Sequence, residues 1–294
     1  MLEFRNLTWQ DKDFYTQYFD ASPVHYAEYS FFGLWAWRHA YPIEIALSPE
    51  NLLWCKSGGP LPGFFGPVGN WEKVSDWDKA LSHFQTGDVI YDVPGAIKNI
   101  LEGRDNLKFT EDRDQHEYVY AVKDMIALKG KAYAHKRNRV RAFLDGYEWD
   151  YYELKPEFFD EVIDFQERWR VHREDTMNDD EAASLDDEDI AIKNALGHWN
   201  DFKFSGGILK VDGKIAAYTL AEELDPQNLD VRFEKAFAEY AGSYQAINYM
   251  FLKNQASQYQ WVNREEDMGE PGLREAKLSY NPAMMLEKFQ MEIL

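Results

Sequence analysis

Between residues 261 and 282 the chain gathers charged and polar side chains at a density that a loop alone does not need. Asn263, Arg264, Glu265, Glu266 and Asp267 follow one another directly. Gly269 and Gly272 punctuate a turn, Arg274 and Lys277 lie one helical turn apart, and Tyr280 closes the run. A carboxylate can take a proton from an attacking amine or hydroxyl, a guanidinium or ammonium can hold an anion, and a phenol can return a proton to a leaving group. An apolar strand that ends in such groups and turns into a helix is where open α/β sheets place ligands. The bland alternative is an ion network in which Arg264 pairs with Glu234 or Glu266 and stitches two strands together, since charge clusters also serve structure alone.

The elements that would position this run come before it. Residues 204–222 form a hairpin around Asp212-Gly213-Lys214. Residues 228–237 read as a strand with Val231, Phe233 and Lys235 on one face and Arg232, Glu234 and Ala236 on the other. A turn at 239–243 opens a helix over 244–257, and a short strand at 259–263 leads into the charged run. Gly242, Ser243 and Tyr244 start the helix, where free amides and the helix dipole favour a phosphate. Upstream, 147–153 suits a strand and 155–172 an amphipathic helix with Phe158, Val162, Phe165 and Trp169 inward. The acidic stretch 174–189 reads as a solvent loop before a helix at 190–199, and it lacks the turn glycine of a calcium loop. Residues 283–294 finish the chain as a helix or a strand.

Residues 128–143 hold six Lys or Arg and no acid, among them Lys136, Arg137 and Arg141, with Asn138 beside them. Ala132, Lys136, Val140 and Phe143 fall on one helical side, and Tyr133, Arg137 and Arg141 on a neighbouring one. The segment reads either as a solvated face paired with nearby acids or as an anion site.

The first half follows a similar plan. A strand at 2–7 precedes a helix that Thr8 and Asp11 can cap. Aromatic residues from Tyr26 to Tyr41 suit a buried wall better than a substrate cage. Strands are expected at 43–47, 51–56, 89–93 and 118–122, with helices at 71–85 and 95–103. Residues 58–69 read as a turn-rich connection without a phosphate-loop pattern, and 109–114 as polar and acidic. The likeness of the halves suggests a duplicated module.

The net charge of −20 over 294 residues opposes long-range attraction to nucleic acid or anionic membranes, so a phosphate-bearing partner must meet a local basic patch. DNA is not expected as a partner. No apolar run is long enough for a membrane span, and no signal peptide is visible, which leads to an expected cytoplasmic location. Cys55 is alone and the seven histidines show no ligand spacing, so no metal site is expected.

The segments VRFEKA (231–236), GSYQAIN (242–248), VNREEDMG (262–269) and GLREAKLSYNP (272–282) together resemble the family of bacterial proteins related to the C-terminal domain of phosphatidylglycerol lysyltransferase, the DUF2156 group. The basic segment 129–138 is also similar to that family and, more loosely, to the linking helix of Fem-type peptidyltransferases. The resemblance implies an α+β fold of two tandem GNAT-like modules, each a mixed β-sheet flanked by helices. The expected division is 1–145, including the linking helix 128–144, and 146–294.

The resemblance further implies acyl or aminoacyl transfer, with acyl-CoA or aminoacyl-tRNA as donor, a small or lipid acceptor and no tightly bound cofactor. The large N-terminal transmembrane region of the lysyltransferases and the usual GNAT acetyl-CoA loop are both absent from this sequence. On this basis Glu265, Glu234 and Tyr280 are the candidate catalytic residues. Asn263, Arg264, Asp267, Arg274, Lys277, Lys235, Tyr244 and Asn248 are expected to bind substrate. Lys136, Arg137, Asn138, Gly242 and Ser243 are expected to bind phosphate, in one case that of a tRNA acceptor end. A non-catalytic protein holding an anionic small molecule or peptide is the alternative.

Overall fold

The computed structural model describes residues 2–58, 62–174 and 179–294, without the side chains of 173–174 and 179–183. In chain order, the strands and α-helices among the described residues are β1 (Arg5–Asn6), α1 (Lys12–Ala21), α2 (Phe31–Ala36), β2 (Ile43–Leu47), β3 (Leu53–Ser57), β4 (Gly63–Val68), α3 (Trp77–Leu81), β5 (Val89–Pro94), α4 (Gly95–Leu101), β6 (Leu107–Glu111), β7 (Glu117–Ala121), α5 (Val122–Ala127), α6 (Ala134–Gly146), β8 (Trp149–Glu153), α7 (Phe159–Glu174), α8 (Asp179–Gly197), β9 (Phe204–Val211), β10 (Lys214–Asp225), β11 (Asn228–Ala236), α9 (Ser243–Gln255), β12 (Trp261–Asn263), α10 (Pro271–Leu278), β13 (Met284–Leu286) and β14 (Lys288–Ile293). They form two sheets, each in a mixed α+β unit.

The first unit comprises Met1–Glu117, Glu266–Glu270 and Met285–Leu294. Its sheet runs β1-β2-β3-β4-β5-β14-β6. Only two residue pairs, Phe64↔Ile90 and Phe65↔Tyr91, join the parallel strands β4 and β5. The core gathers Trp54, Trp71, Trp77, Phe84, Ile90 and Met291; full burial of each such side chain is worth about 1.5–3 kcal/mol. Thr8 and Asp11 form the expected capping box, around the 3-10 turn Trp9–Asp11 that leads into α1. Tyr26, Tyr29, Phe31, Phe32 and Trp35 are buried as the wall that the sequence suggested. Lys288 on β14 is wholly buried and pairs with Glu28 at 2.9 Å and Glu117 at 3.1 Å.

The second unit comprises Tyr118–Glu265 and Pro271–Met284. Its sheet runs β13-β7-β12-β11-β10-β9-β8. The hairpin β9–β10 and its continuation into β11 are antiparallel, as the Asp212-Gly213-Lys214 turn requires. Strands β11 and β12 run parallel, and their pairing ends at Asp230↔Asn263 although β11 continues to Ala236. Beyond that point the two strands part. Helices α6 and α9 pack together, with Phe143, Ala246, Ile247 and Met250 against Leu209, Ala217 and Ala236 of the sheet. Helix α7 meets the other face, where the Trp169 indole N–H donates to the Ala236 carbonyl at 3.1 Å.

Several expectations change. Residues 63–68 form the strand β4 and 107–111 the strand β6, because neighbouring strands supply ladder partners that local composition does not reveal. The helix expected at 71–85 contracts to α3 and a single 3-10 turn at Trp71–Lys73. Residues 179–189 belong to α8 rather than a loop, while 175–178 lie outside the described residues. Of the two readings for the end of the chain, helix or strand, it is the strand that forms. The expected division at 145/146 falls inside the second unit: β7 pairs with β12 and α6 packs on α9, whereas β14 returns to the first sheet between β5 and β6.

Candidate functional site

The parting of β11 and β12 determines what surrounds residues 264 and 265. Backbone hydrogen bonds no longer join the strands there, and side chains take over. Arg264 Nη2 donates to Glu234 Oε1 at 2.8 Å, and Arg232 Nη1 donates to Glu265 Oε1 at 2.9 Å. Alternate residues of β11 thus meet successive residues after β12 in two ion pairs of opposite sense.

The Glu234 pair lies in the richer environment. Asn248 on α9 donates to the second Glu234 oxygen at 3.0 Å. The Arg264 guanidinium stands 5.0 Å from the Tyr280 ring centre and shares a hydrogen bond with that phenol. The Lys136 ammonium sits 4.0 Å from the centre of the same ring. Lys277 Nζ donates to the Arg264 carbonyl at 2.6 Å, and the Tyr120 hydroxyl donates to the Lys277 carbonyl at 2.8 Å. Lys136 from α6, Glu234 from β11, Asn248 from α9, Arg264 after β12 and Tyr280 after α10 therefore converge. Four of these are among the expected substrate and catalytic residues, and Lys136 was expected at an anion site.

The electrostatics favour an anion. Burial pushes the Lys136 ammonium down to about 8, the nearby Arg264 charge adds to the effect, and Glu234 opposes both. Burial also works against the Arg264 charge, but Glu234 and the phenols Tyr280 and Tyr120 outweigh it and leave its pKa raised. Burial drives the Tyr280 phenol upward, so it carries its proton at neutral pH. Both cations feel Glu234, Lys136 also feels Glu275, and both Glu234 oxygens already accept a hydrogen bond.

Glu265 belongs to a different set. Arg232 is buried between Glu222 at 2.6 Å, Asp230 at 2.9 Å and Glu265 at 2.9 Å. Burial disfavours the guanidinium, but Asp230, Glu222 and Glu265 more than compensate and raise its pKa. Glu265 takes φ 56 and its amide donates to the Asn263 side chain at 2.8 Å. Sequence reading placed Arg232 beside Glu234 on a strand face without giving it a role, although spacing two apart on a strand was the signal.

The other expected residues separate. Asp267 lies in the first unit, fully buried, where it pairs with Arg113 at 3.3 Å and accepts the Gly269 amide at 3.0 Å. Its carboxylate thus caps the turn at Gly269. Lys235 points to the opposite face of β11 from Glu234, bonded to Glu188 at 2.6 Å. Arg137 spends its guanidinium on the Leu128 and Gly130 carbonyls, so it holds the turn before α6. Asn138 is exposed. The Ser243 hydroxyl donates to the Phe237 carbonyl at 2.9 Å and its amide to the Tyr240 carbonyl at 3.0 Å, so both its donors are used within the fold. Gly242 takes φ 88, and a Cβ there would collide with the Arg139 carbonyl, so its requirement is the close approach of α6. Tyr244 and Arg274 are half-buried on α9 and α10. Among the described residues no His, Cys, Asp or Glu group is arranged to hold a metal ion, and no helix is long and apolar enough to cross a membrane.

Comparison with known proteins agrees with this architecture. A protein of unknown function from Bacteroides thetaiotaomicron is 31% identical over the whole of both chains, with a TM-score of 0.86. L-PGS from Bacillus licheniformis shares 13% identity and a TM-score of 0.56, covering 87% of this chain and 85% of its own. FemX shares 12% identity and a TM-score of 0.60, covering 100% and 98%. These two show likeness of fold. An uncharacterised protein of Mycoplasmoides gallisepticum is 23% identical over 182 residues, which cover 60% of this chain and only 56% of that protein's length. The profile of the family described as "Phosphatidylglycerol lysyltransferase, C-terminal" matches residues 21–291, and the chain belongs to that family.

Proposed function

We propose that the chain transfers an aminoacyl group from a tRNA ester to a small or lipid acceptor at the site around Glu234, Arg264, Tyr280 and Lys136. The observation that carries this reading is the pair of buried cations where β11 and β12 part: Arg264 is paired with Glu234, and Lys136 stands over the Tyr280 ring beside them with Glu234 and Glu275 as its acidic neighbours. Family membership supports the class of reaction.

In this reading the acceptor hydroxyl or amine attacks the ester carbonyl. A new acyl bond to the acceptor forms and the acyl–oxygen bond to the tRNA breaks. Glu234 takes the acceptor's proton, Arg264 and Lys136 stabilise the developing oxyanion, and Tyr280 protonates the leaving oxygen. Lys277 fixes Arg264 through its carbonyl. Asn263, Tyr244 and Arg274 are proposed as substrate contacts. Glu265 is assigned to positioning through Arg232 rather than to proton transfer. An acyl-CoA donor would use the same centre.

The second reading, a non-catalytic protein that holds an anionic small molecule or peptide, draws on the closed Glu234–Arg264 pair. Charged tRNA carrying a labelled amino acid, mixed with the protein and either phosphatidylglycerol vesicles or soluble amines, separates the two. Transfer predicts acceptor-dependent loss of label from tRNA, with Tyr280→Phe slower by about tenfold or more, the low end of a general acid's contribution, at unchanged melting temperature. Absence of transfer from every charged tRNA, with phosphate still raising the melting temperature, would favour the binding reading.

A further inference from the structure

Lys235 and Glu234 are neighbours on β11, yet they reach polar clusters on opposite faces of the sheet. The second cluster has its own composition. Tyr218 on β10 is the cross-strand partner of Lys235, so the two side chains share a face. Lys235 Nζ lies 4.4 Å from the Trp169 ring centre and bonds Glu188 Oε2 at 2.6 Å. Gln166 on α7 donates to Asp189 at 3.0 Å, and Arg170 reaches Asp186 and, at 3.7 Å, Asp189.

Two groups in this cluster are buried and unpartnered among the described residues. The Tyr218 side chain is 0% exposed and its hydroxyl has no hydrogen-bond partner among them. Gln166 is 4% exposed and its Oε1 has none among them either. Leaving such groups unmade in an apolar setting is costly, so each calls for a partner. Phe165 packs edge-on against the Tyr218 ring at 5.4 Å. Burial, followed by the fields of Glu188, Asp189 and Tyr244, drives the Tyr218 phenol upward and keeps it neutral.

We infer that this cluster binds a primary ammonium group, held by Gln166 Oε1, the Tyr218 hydroxyl oxygen and the carboxylate of Glu188. An ammonium brings three donors and no acceptor. The cluster offers an unused amide oxygen, an unused phenol oxygen and three carboxylates, Asp186, Glu188 and Asp189, against Lys235 and Arg170, which is the complementary set. An anion would meet Glu188 and Asp189 on this face, whereas the face of Lys136 and Arg264 suits it. The parted strands would then present an ammonium site and an anion site to either side of β11. Resting on the transfer reading, the ammonium is that of an aminoacyl group or of an amine acceptor.

Calorimetric titration of the full chain tests this with three probes: L-alaninamide for an α-ammonium, Nα-acetyl-L-lysinamide for a side-chain ammonium, and N-acetyl-L-alaninamide, which has none. The expected result is binding of at least one ammonium compound but not of the acetylated amide. Tyr218→Phe and Gln166→Leu each weaken that binding by about tenfold or more, as loss of a hydrogen bond to a charged group does. Because the deleted hydroxyl has no partner among the described residues, Tyr218→Phe keeps or raises the melting temperature. Equal binding by all three probes, absence of binding, or affinity unchanged in both variants would overturn the inference. Ammonium binding without any transfer from charged tRNA would sink the transfer reading alone; transfer without ammonium binding would sink this one alone.

Discussion

Lys136 is the residue on which the electrostatics of the site turn. Its ordinary pKa of 10.5 falls to about 8 in the folded chain. Between those values the unfolded chain binds the proton and the folded chain does not, so this residue makes stability rise with pH across that window. Below about 8 the full cost of its burial is present. Replacing it by methionine should therefore stabilise the protein at pH 7 by roughly 2 kcal/mol and remove that slope, as thermal unfolding of both proteins at pH 7 and 9.5 would show. The same variant should lose most phosphate binding, and a variant that kept it would remove Lys136 from the anion site. Glu234, Arg264, Tyr280, Lys277 and Lys136 were all legible as chemically apt residues. The Arg264–Glu234 pair was one of the two pairings that the sequence offered; that Arg232 takes Glu265 was not legible, because it depends on how the chain after β12 sits beside β11.

At the scale of elements, the parting of β11 and β12 builds the site, and Gly242 sets how closely α6 approaches α9 behind it. Its φ of 88 and the Arg139 carbonyl against it leave no room for a side chain. Gly242→Ala should cost at least about 2 kcal/mol in urea unfolding, through left-handed strain and displacement of α6. Because Lys136 rides on α6, phosphate affinity should fall in the same variant. A neutral substitution would show that the helices adjust freely. The hairpin, β11 and α9 were readable because alternation and turn chemistry are local. The strands β4 and β6 escaped notice because glycine-rich or charged segments become strands only when neighbours complete their hydrogen bonds.

The whole molecule divides along lines that the chain order conceals. β7 and α6 precede residue 146 yet belong to the second unit, and β14 ends the chain yet lies inside the first sheet. Fragments 1–145 and 146–294 should each lack a central or adjoining strand and fail to fold alone, seen as lost near-ultraviolet dichroism and weak amide protection. Two fragments that fold independently would contradict this pairing. The amino-acid order determined the family, the duplicated α+β plan and the chemical inventory of the site, since periodicity, turn residues and motif words are properties of nearby positions. Only the tertiary structure decided that Lys136 meets Arg264 and Tyr280, that Arg232 claims Glu265, that Asp267 stays with Arg113, and that Tyr218 faces Lys235. Those contacts depend on strand register and helix packing between residues far apart in the chain, and burial then sets their charge.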